Sequence, residues 1–327
     1  MANGIAAGPD GAMWFTDGNI GRVPVGALAR THDYSGDGYS DIAWKDTNGN
    51  LAIWVMRYSM GPSIQPFGLG DVPAVWSIAG QRDFNGDGWY DLLWRDTAGN
   101  TAIWFLGVNG GNLQALSFAG VGNIPTNWSV VGTGDVNGDG FGDILWQDGS
   151  GNLAVWLMKG GTALSSAGLG SVSGWAVVGT GDYDADGKAD ILWRDGSGNT
   201  AIWFMNGTQI VSSAGIGNVP IAWAVVGTGD FDGDGHSDIL WRDGSGDTVI
   251  WLMNGAQVVT ASAIGAISTT WSVAEVGDYN GDGMSDILWR DSGGNAAIWY
   301  MNGAAISSAA GLGNVPITWT VQSANAE

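Results

Sequence analysis

The feature that most constrains this chain is that it repeats itself. The stretch "WAVVGTGDYDADGKADILWRDGSGNTAIWFMNG" (Trp175 to Gly207) returns as "WAVVGTGDFDGDGHSDILWRDGSGDTVIWLMNG" (Trp223 to Gly255), and diverged copies run through most of the 327 residues. Acidic loops begin at Asp33, Asp83, Asp135, Asp182, Asp230 and Asp278, 47 to 52 residues apart. One such unit cannot bury its own apolar face, so copies must stack, and this period is that of propellers and related arrays.

Within one copy the signals are all β. "WAVVGT" and "DILWRD" are short, β-branched and aromatic, with the acidic loop between them. "GSGN" then leads to "TAIWFM", and "NG" leads to "QIVSSAGI". Asn-Gly between two apolar runs is a strong hairpin signal. Helical periodicity is absent, and four antiparallel strands per repeat describe a propeller blade. A parallel β-helix or open solenoid is the alternative arrangement of such repeats.

The ends set the expected blade number. "ITWTVQSANAE" matches only the first strand of a further repeat, and "MANGIAAGPDGAMWFTDGNIGRVPV" reads as three strands that would complete it. The chain is therefore expected to be one domain over residues 1–327, a seven-bladed all-β propeller of four-stranded blades. Six blades would span about 26–72, 73–124, 125–172, 173–219, 220–267 and 268–315. The seventh would pair residues 316–327 with residues 1–25, closing the ring and removing exposed strand edges.

Composition excludes several functions. The net charge of −21, with 11 Lys and Arg, argues against nucleic acid, which needs clustered cations to neutralise phosphate. No apolar run nears the roughly 18 residues needed to cross a membrane, so no membrane insertion is expected, and no signal peptide is visible. There is no cysteine, and only His32, His236, Glu275 and Glu327 join the aspartates as acid–base groups. That is a thin supply for an enzyme, and none is expected.

The acidity is concentrated. Each loop has the form D-x-[DNS]-x-D-G-x-x-D, and twenty of the chain's 30 aspartates lie in these six loops. Oxygen side chains fall at positions 1, 3, 5 and 9, position 7 can offer its carbonyl, and Gly at position 6 permits the bend. The sets are Asp33, Ser35, Asp37 and Asp41; Asp83, Asn85, Asp87 and Asp91; and Asp135, Asn137, Asp139 and Asp143. The later three are Asp182, Asp184, Asp186 and Asp190; Asp230, Asp232, Asp234 and Asp238; and Asp278, Asn280, Asp282 and Asp286. With no His or Cys on offer, this donor set suits a hard cation, calcium rather than zinc. Six Ca²⁺ ions, +12 in all, would take the net charge from −21 to about −9. The alternative is a set of metal-free Asx-turns, which accounts for one or two aspartates per loop but not three or four.

Repeats of this "DxNGDGxxDILW" type resemble the FG-GAP, or VCBS, repeats of integrin α-subunit heads and many secreted bacterial proteins, over residues from about 26 to 321. "FGLG" at Phe67 to Gly70 and "NVP" at Asn218 to Pro220 echo the family's name motif, although most copies have Ala-Gly. The resemblance implies calcium at positions 1, 3, 5 and 9 on one face of a seven-bladed propeller, and a secreted or cell-surface setting. Ser35 departs from the pattern. A second resemblance, of "GIAAGPDGAMWFTDGNIGRV" to one streptogramin lyase-type repeat, ends by residue 25. Lyase activity would need a His and acids from several blades, and nothing after residue 25 follows that pattern.

Connectivity places the acidic loops and the "MNG" turns on one face. On the opposite face it gathers a Trp, an Arg or Gln, an Asp, and an Asn or Asp at each junction. These sets are Trp76, Arg95, Asp96 and Asn100; Trp128, Gln147, Asp148 and Asn152; and Trp175, Arg194, Asp195 and Asn199. Two more are Trp223, Arg242, Asp243 and Asp247, and Trp271, Arg290, Asp291 and Asn295. An aromatic face beside planar hydrogen-bonding groups suits a sugar. The competing reading is that Asp and Asn cap the turn while Arg pairs with a nearby Asp. The chain is similar in build to fungal integrin-like propeller lectins, which implies multivalent binding of glycans. An adhesion or scaffold module docking a protein surface through one face is the alternative, and the irregular stretches Arg57 to Pro66 and Gly107 to Leu113 would serve it.

Overall fold

In the repeat "DILWRD", every residue from Asp190 to Trp193 is buried, as expected of a strand covered on both faces. The strand after it, Asn199–Asn206, alternates between buried and half-buried, and the next, Gln209–Asn218, is largely exposed. With Trp175–Gly181 on the other side, the four make an antiparallel sheet in sequence order. The computed structural model describes residues 31–58 and 62–323, together with the backbone of three short strands nearer the N-terminus.

Six such four-stranded sheets are present among the described residues. We call them blades 1 to 6 in the order of their acidic loops. The first strands of blades 2 to 6 are Trp76–Arg82, Trp128–Gly134, Trp175–Gly181, Trp223–Gly229 and Trp271–Gly277. Each carries a register shift in its middle, as between Val177 and Gly179. Glycine is needed there in blades 2 to 5, because the inner strands approach closely: a Cβ on Gly179 would lie 2.8 Å from Cγ2 of Thr228 in the next blade. Blade 6 has Glu275 at the equivalent place.

The core lies between blades. One cluster joins Tyr183, Leu192 and Ile202 of blade 4 to Ile239, Trp241 and Met253 of blade 5, and another joins Tyr279, Leu288 and Ile298 of blade 6 to Ile42, Trp44 and Met56 of blade 1. The second-strand tryptophans Trp44, Trp94, Trp146, Trp193, Trp241 and Trp289 are fully buried. Each stacks at an angle on a third-strand partner, for example Trp193 on Trp203 with ring centroids 4.8 Å apart. Large aromatics thus fill the wedge between flat sheets.

The expectation of seven blades is incorrect. Trp319–Val321 does not join the N-terminal segment. It pairs with Ile42–Asp46 and supplies the first strand of blade 1, Trp319 opposite Asp46 as Trp175 is opposite Asp195. The blade is completed by Asn50–Tyr58 and Pro62–Asp71. The physical reason is in the sequence just before the first acidic loop: "GALARTH" (Gly26 to His32) has no Trp and no "VVGT", so this repeat lacks the sequence of an inner strand. The C-terminal copy fills that place. Thr31 and His32 add the last rung, where the amide of Asp41 donates to the carbonyl of His32 at 2.9 Å. Ile5–Ala7, Met13–Thr16 and Ile20–Val23 pair with one another as a three-stranded sheet without Trp319.

Candidate metal loops and interblade sites

Numbering each acidic loop from its first Asp, the aspartates at positions 1 and 9 shape the loop. Asp33 accepts amides from Gly36 at 2.7 Å and Gly38 at 2.8 Å, and Asp83, Asp135, Asp230 and Asp278 do the same in their loops. Asp182 accepts Gly187 at 2.7 Å. At position 9, Asp190 takes the Tyr183 amide on one oxygen at 3.1 Å and the Met205 amide on the other at 2.9 Å. Asp41, Asp91, Asp143, Asp238 and Asp286 repeat this, latching every loop to the third strand of its own blade.

These carboxylates are costly to keep charged. Burial pushes the position-9 carboxyls up, to about 8 at Asp91, Asp190, Asp238 and Asp286 and about 7 at Asp143, although two amides on each favour the ionised form. Asp41 also lies well above the usual carboxylate range. Burial raises the position-1 carboxyls to about 6 at Asp182, Asp230 and Asp278. Oxygens of Asp182, Asp184 and Asp190 lie within 4.8 Å of one another, as do those of Asp230, Asp232 and Asp238. Where position 3 is Asn, its amide donates to the position-5 carboxylate: Asn85 to Asp87 at 2.9 Å, Asn137 to Asp139 and Asn280 to Asp282 at 3.0 Å. An all-oxygen donor set whose members repel one another, in the Asp182 and Asp230 loops buried at positions 1 and 9 and open to solvent at position 3, fits a hard divalent cation. Positions 1, 3, 5 and 9 would hold it.

On the opposite face the expected Trp, Arg or Gln, Asp and Asn sets are brought together at the junctions, with many of their polar groups engaged within the chain. Arg194 lies over Trp241 of the next blade, 4.9 Å from the ring centroid, and donates to the carbonyls of Val219 and Pro220, both at 3.0 Å. Arg95 over Trp146, Arg242 over Trp289 and Arg290 over Trp44 repeat the arrangement, and Lys45 takes the role over Trp94. Asp195 accepts the amides of Ser197 and Asn199 and the side-chain amide of Asn199 at 2.6 Å, closing the turn. Asp96 with Asn100, Asp148 with Asn152 and Asp291 with Asn295 do likewise. Asp243 accepts the Asp247 amide at 2.9 Å. Trp76, Trp128, Trp175, Trp223 and Trp271 remain half-buried at the strand starts, and the Asn side chains are exposed.

Four overlapping stretches, residues 83–146, 135–193, 182–241 and 230–289, match the FG-GAP-like repeat, each running from one acidic loop through the "ILW" or "ILWR" strand of the next. The chain belongs to the FG-GAP-like repeat family. No curated protein matches the chain. Among solved structures it is similar to the β-propeller domain of Myceliophteria thermophila Cps50 (Swd1), at 10% identity over 90% of this chain and 88% of that one, with a TM-score of 0.49. It is also similar to BBS1N from a complex with ARL6DN, at 12% identity over 93% and 88%, with a TM-score of 0.44. At these scores the likeness bears on neither blade number nor function.

Sequence reasoning missed the links between loops of this FG-GAP ring. The amide at position 8 of each loop donates to the position-1 carbonyl of the preceding blade's loop: Tyr90 to Asp33, Gly142 to Asp83, Ala189 to Asp135, Ser237 to Asp182, Ser285 to Asp230 and, across the seam, Ser40 to Asp278, at 2.6 to 2.9 Å. The available signal was the near-uniform small residue at position 8, with Tyr90 the exception.

Proposed function

We propose that this FG-GAP propeller is a cation-stabilised, multivalent binding module whose repeated junctions on the face opposite the acidic loops take glycans. One observation supports this best: the same half-buried Trp beside exposed Asn or Asp turns recurs at successive junctions in one geometry, as a ligand that itself repeats requires. Single sites would be shallow and weak, since much of each junction's polar capacity is spent within the chain, and binding to a glycan-coated surface would come from avidity. Calcium in the loops would hold the ring without touching the sugar. An extracellular setting, where calcium is plentiful, suits such loops.

A second reading has its own observation. The fourth strands expose Phe118, Leu164, Val211 and Val259 at 61 to 65% of their surface, an apolar belt that a protein partner could cover. A glycan array probed at high protein density, with and without chelator, tests both. Binding to glycans that weakens when calcium is removed supports the first reading. A silent array overturns it and leaves the protein-docking belt.

A further inference from the structure

The six loops form one continuous mechanical circuit, and we propose that they bind calcium cooperatively, each loop setting the affinity of its neighbours. The inference rests on the reading of the loops as calcium sites, and the links that carry it are independent of any ion. The first is the six-fold set of position-8 amides on position-1 carbonyls described above. Position 8 lies between position 7, whose carbonyl is available as a ligand, and position 9, whose carboxylate is another. Position 1 in the preceding loop supplies a ligand through its side chain and the acceptor through its carbonyl. Two coordination shells are therefore joined by a single peptide hydrogen bond.

The second link is made by side chains. In five of the six loops the position-7 residue lies over position 4 of the loop before it. A Cβ on Gly36 would run into the Trp89 ring, one on Gly281 would lie 2.7 Å from Tyr39, and one on Gly233 would lie 3.3 Å from Met284. Where position 7 is histidine, His236 places Nδ1 2.7 Å from the Tyr183 carbonyl of the preceding loop. The third link comes from the "NG"-type turns, where Gly255 donates to that same carbonyl at 2.8 Å and Gly303 to the Phe231 carbonyl at 2.9 Å.

A loop drawn around a cation must fix its positions 7, 8 and 9 together. Fixing them positions the backbone of positions 1 to 4 next door, which lowers the ordering cost of the second ion. Coupling of this nearest-neighbour kind is what stacked repeats transmit. Because Ser40 and Asp278 close the circuit, no loop is terminal.

The test uses the full chain, stripped with chelator and titrated with calcium alone, followed by calorimetry and by the ¹³C-methyl signal of Met284, which reports the Asp278 loop. Met284 also lies over Gly233 of the Asp230 loop, so the variant is placed in the other neighbour: Asp37→Ala removes an exposed ligand from the Asp33 loop, joined to the Asp278 loop across the seam, and leaves the Asp278 loop intact. The coupling predicts sigmoidal uptake in the native chain. It also predicts that the midpoint read at Met284 rises about threefold or more in Asp37→Ala, and less in Asp139→Ala two loops further away. Uptake at one uniform affinity, with the Met284 midpoint unmoved in Asp37→Ala, overturns the coupling and leaves the calcium sites standing. No calcium uptake removes the calcium reading and the coupling together.

Discussion

The hydroxyl of Thr31 donates to the carbonyl of Val276 at 3.2 Å, carrying across the seam a contact that the other blades make among themselves. Thr133 donates to the Gln81 carbonyl, Thr180 to that of Thr133 and Thr228 to that of Thr180, at 2.9 to 3.3 Å. Blade 1 therefore closes the ring from two sides, with Thr31 and His32 at one end of its inner strand and Trp319–Val321 at the other.

Ending the chain at Pro316 should break that closure. Ile42–Asp46 would lose its partner strand and present an open edge, and the half-buried Trp319 would be removed from the blade 6–blade 1 cluster. A loss of about 3 kcal/mol or more is expected for removing a packed tryptophan and its strand, with soluble aggregates in size-exclusion chromatography. Removing residues 1–25 should leave the melting midpoint of the ring unchanged, because the described backbone of the three strands there forms a sheet of its own. If that deletion proves as damaging as the C-terminal one, the N-terminal strands contribute to the ring after all.

The Arg194 guanidinium ties blade 4 to blade 5 through Trp241 and two connector carbonyls. Arg194→Ala should cost about 1–3 kcal/mol, combining a partly desolvated cation–π contact with two charge-assisted hydrogen bonds. Arg194→Lys should recover part of this, since Lys45 already fills the role over Trp94 at 5.3 Å. Denaturant melts of the three proteins would decide it. Equal stability of all three would mean that the junction is held by the buried tryptophans alone.

Ala185 holds φ at 58°, in the left-handed region, at the loop position where the other five loops have glycine. A non-glycine residue there costs about 1 kcal/mol or somewhat more, against which glycine adds flexibility to the unfolded chain. Ala185→Gly should therefore stabilise the protein by a net amount of about 0.5 kcal/mol. A lower melting midpoint in the variant would show that the Ala185 methyl makes compensating contacts.

Blade architecture, strand order and the six acidic loops were legible because period, turn chemistry and apolar patterning all repeat. Blade number was not. A terminal strand such as "TWTV" announces that it completes some blade, and only the missing Trp before Asp33 shows which one. The acidic residues at positions 1 and 9 were recognisable as a set, yet their amide partners lie up to 15 residues away, at Met56 or Met205, and follow from strand pairing rather than spacing. Arg194 was read as a group available to a ligand because the tryptophan beneath it belongs to another blade, 47 residues on. Contacts between repeats leave no trace in the pattern of one repeat.

Calcium and rising pH should act on the loops in opposite senses. The position-9 carboxyls have ordinary values near 3.8 when unfolded and about 7 to 8 when folded, raised by burial. A carboxyl whose folded pKa is raised binds its proton more tightly in the folded state. Its contribution is fully present below the unfolded value, shrinks as pH rises through the interval, and is lost above the folded value. Protein stripped of metal should thus lose stability steadily from about pH 4 to about pH 8, as buried carboxylates are forced to ionise beside one another. Calcium binds the ionised form, so its stabilisation should grow over the same interval by mass action. Thermal melts at pH 5, 7 and 8.5, in chelator and in millimolar calcium, provide the check. The expected result is two curves that lie close together in acid and separate toward alkaline pH. Curves that stay superimposed at pH 8.5 would mean that the loops are amide-capped turns whose burial cost is met without an ion.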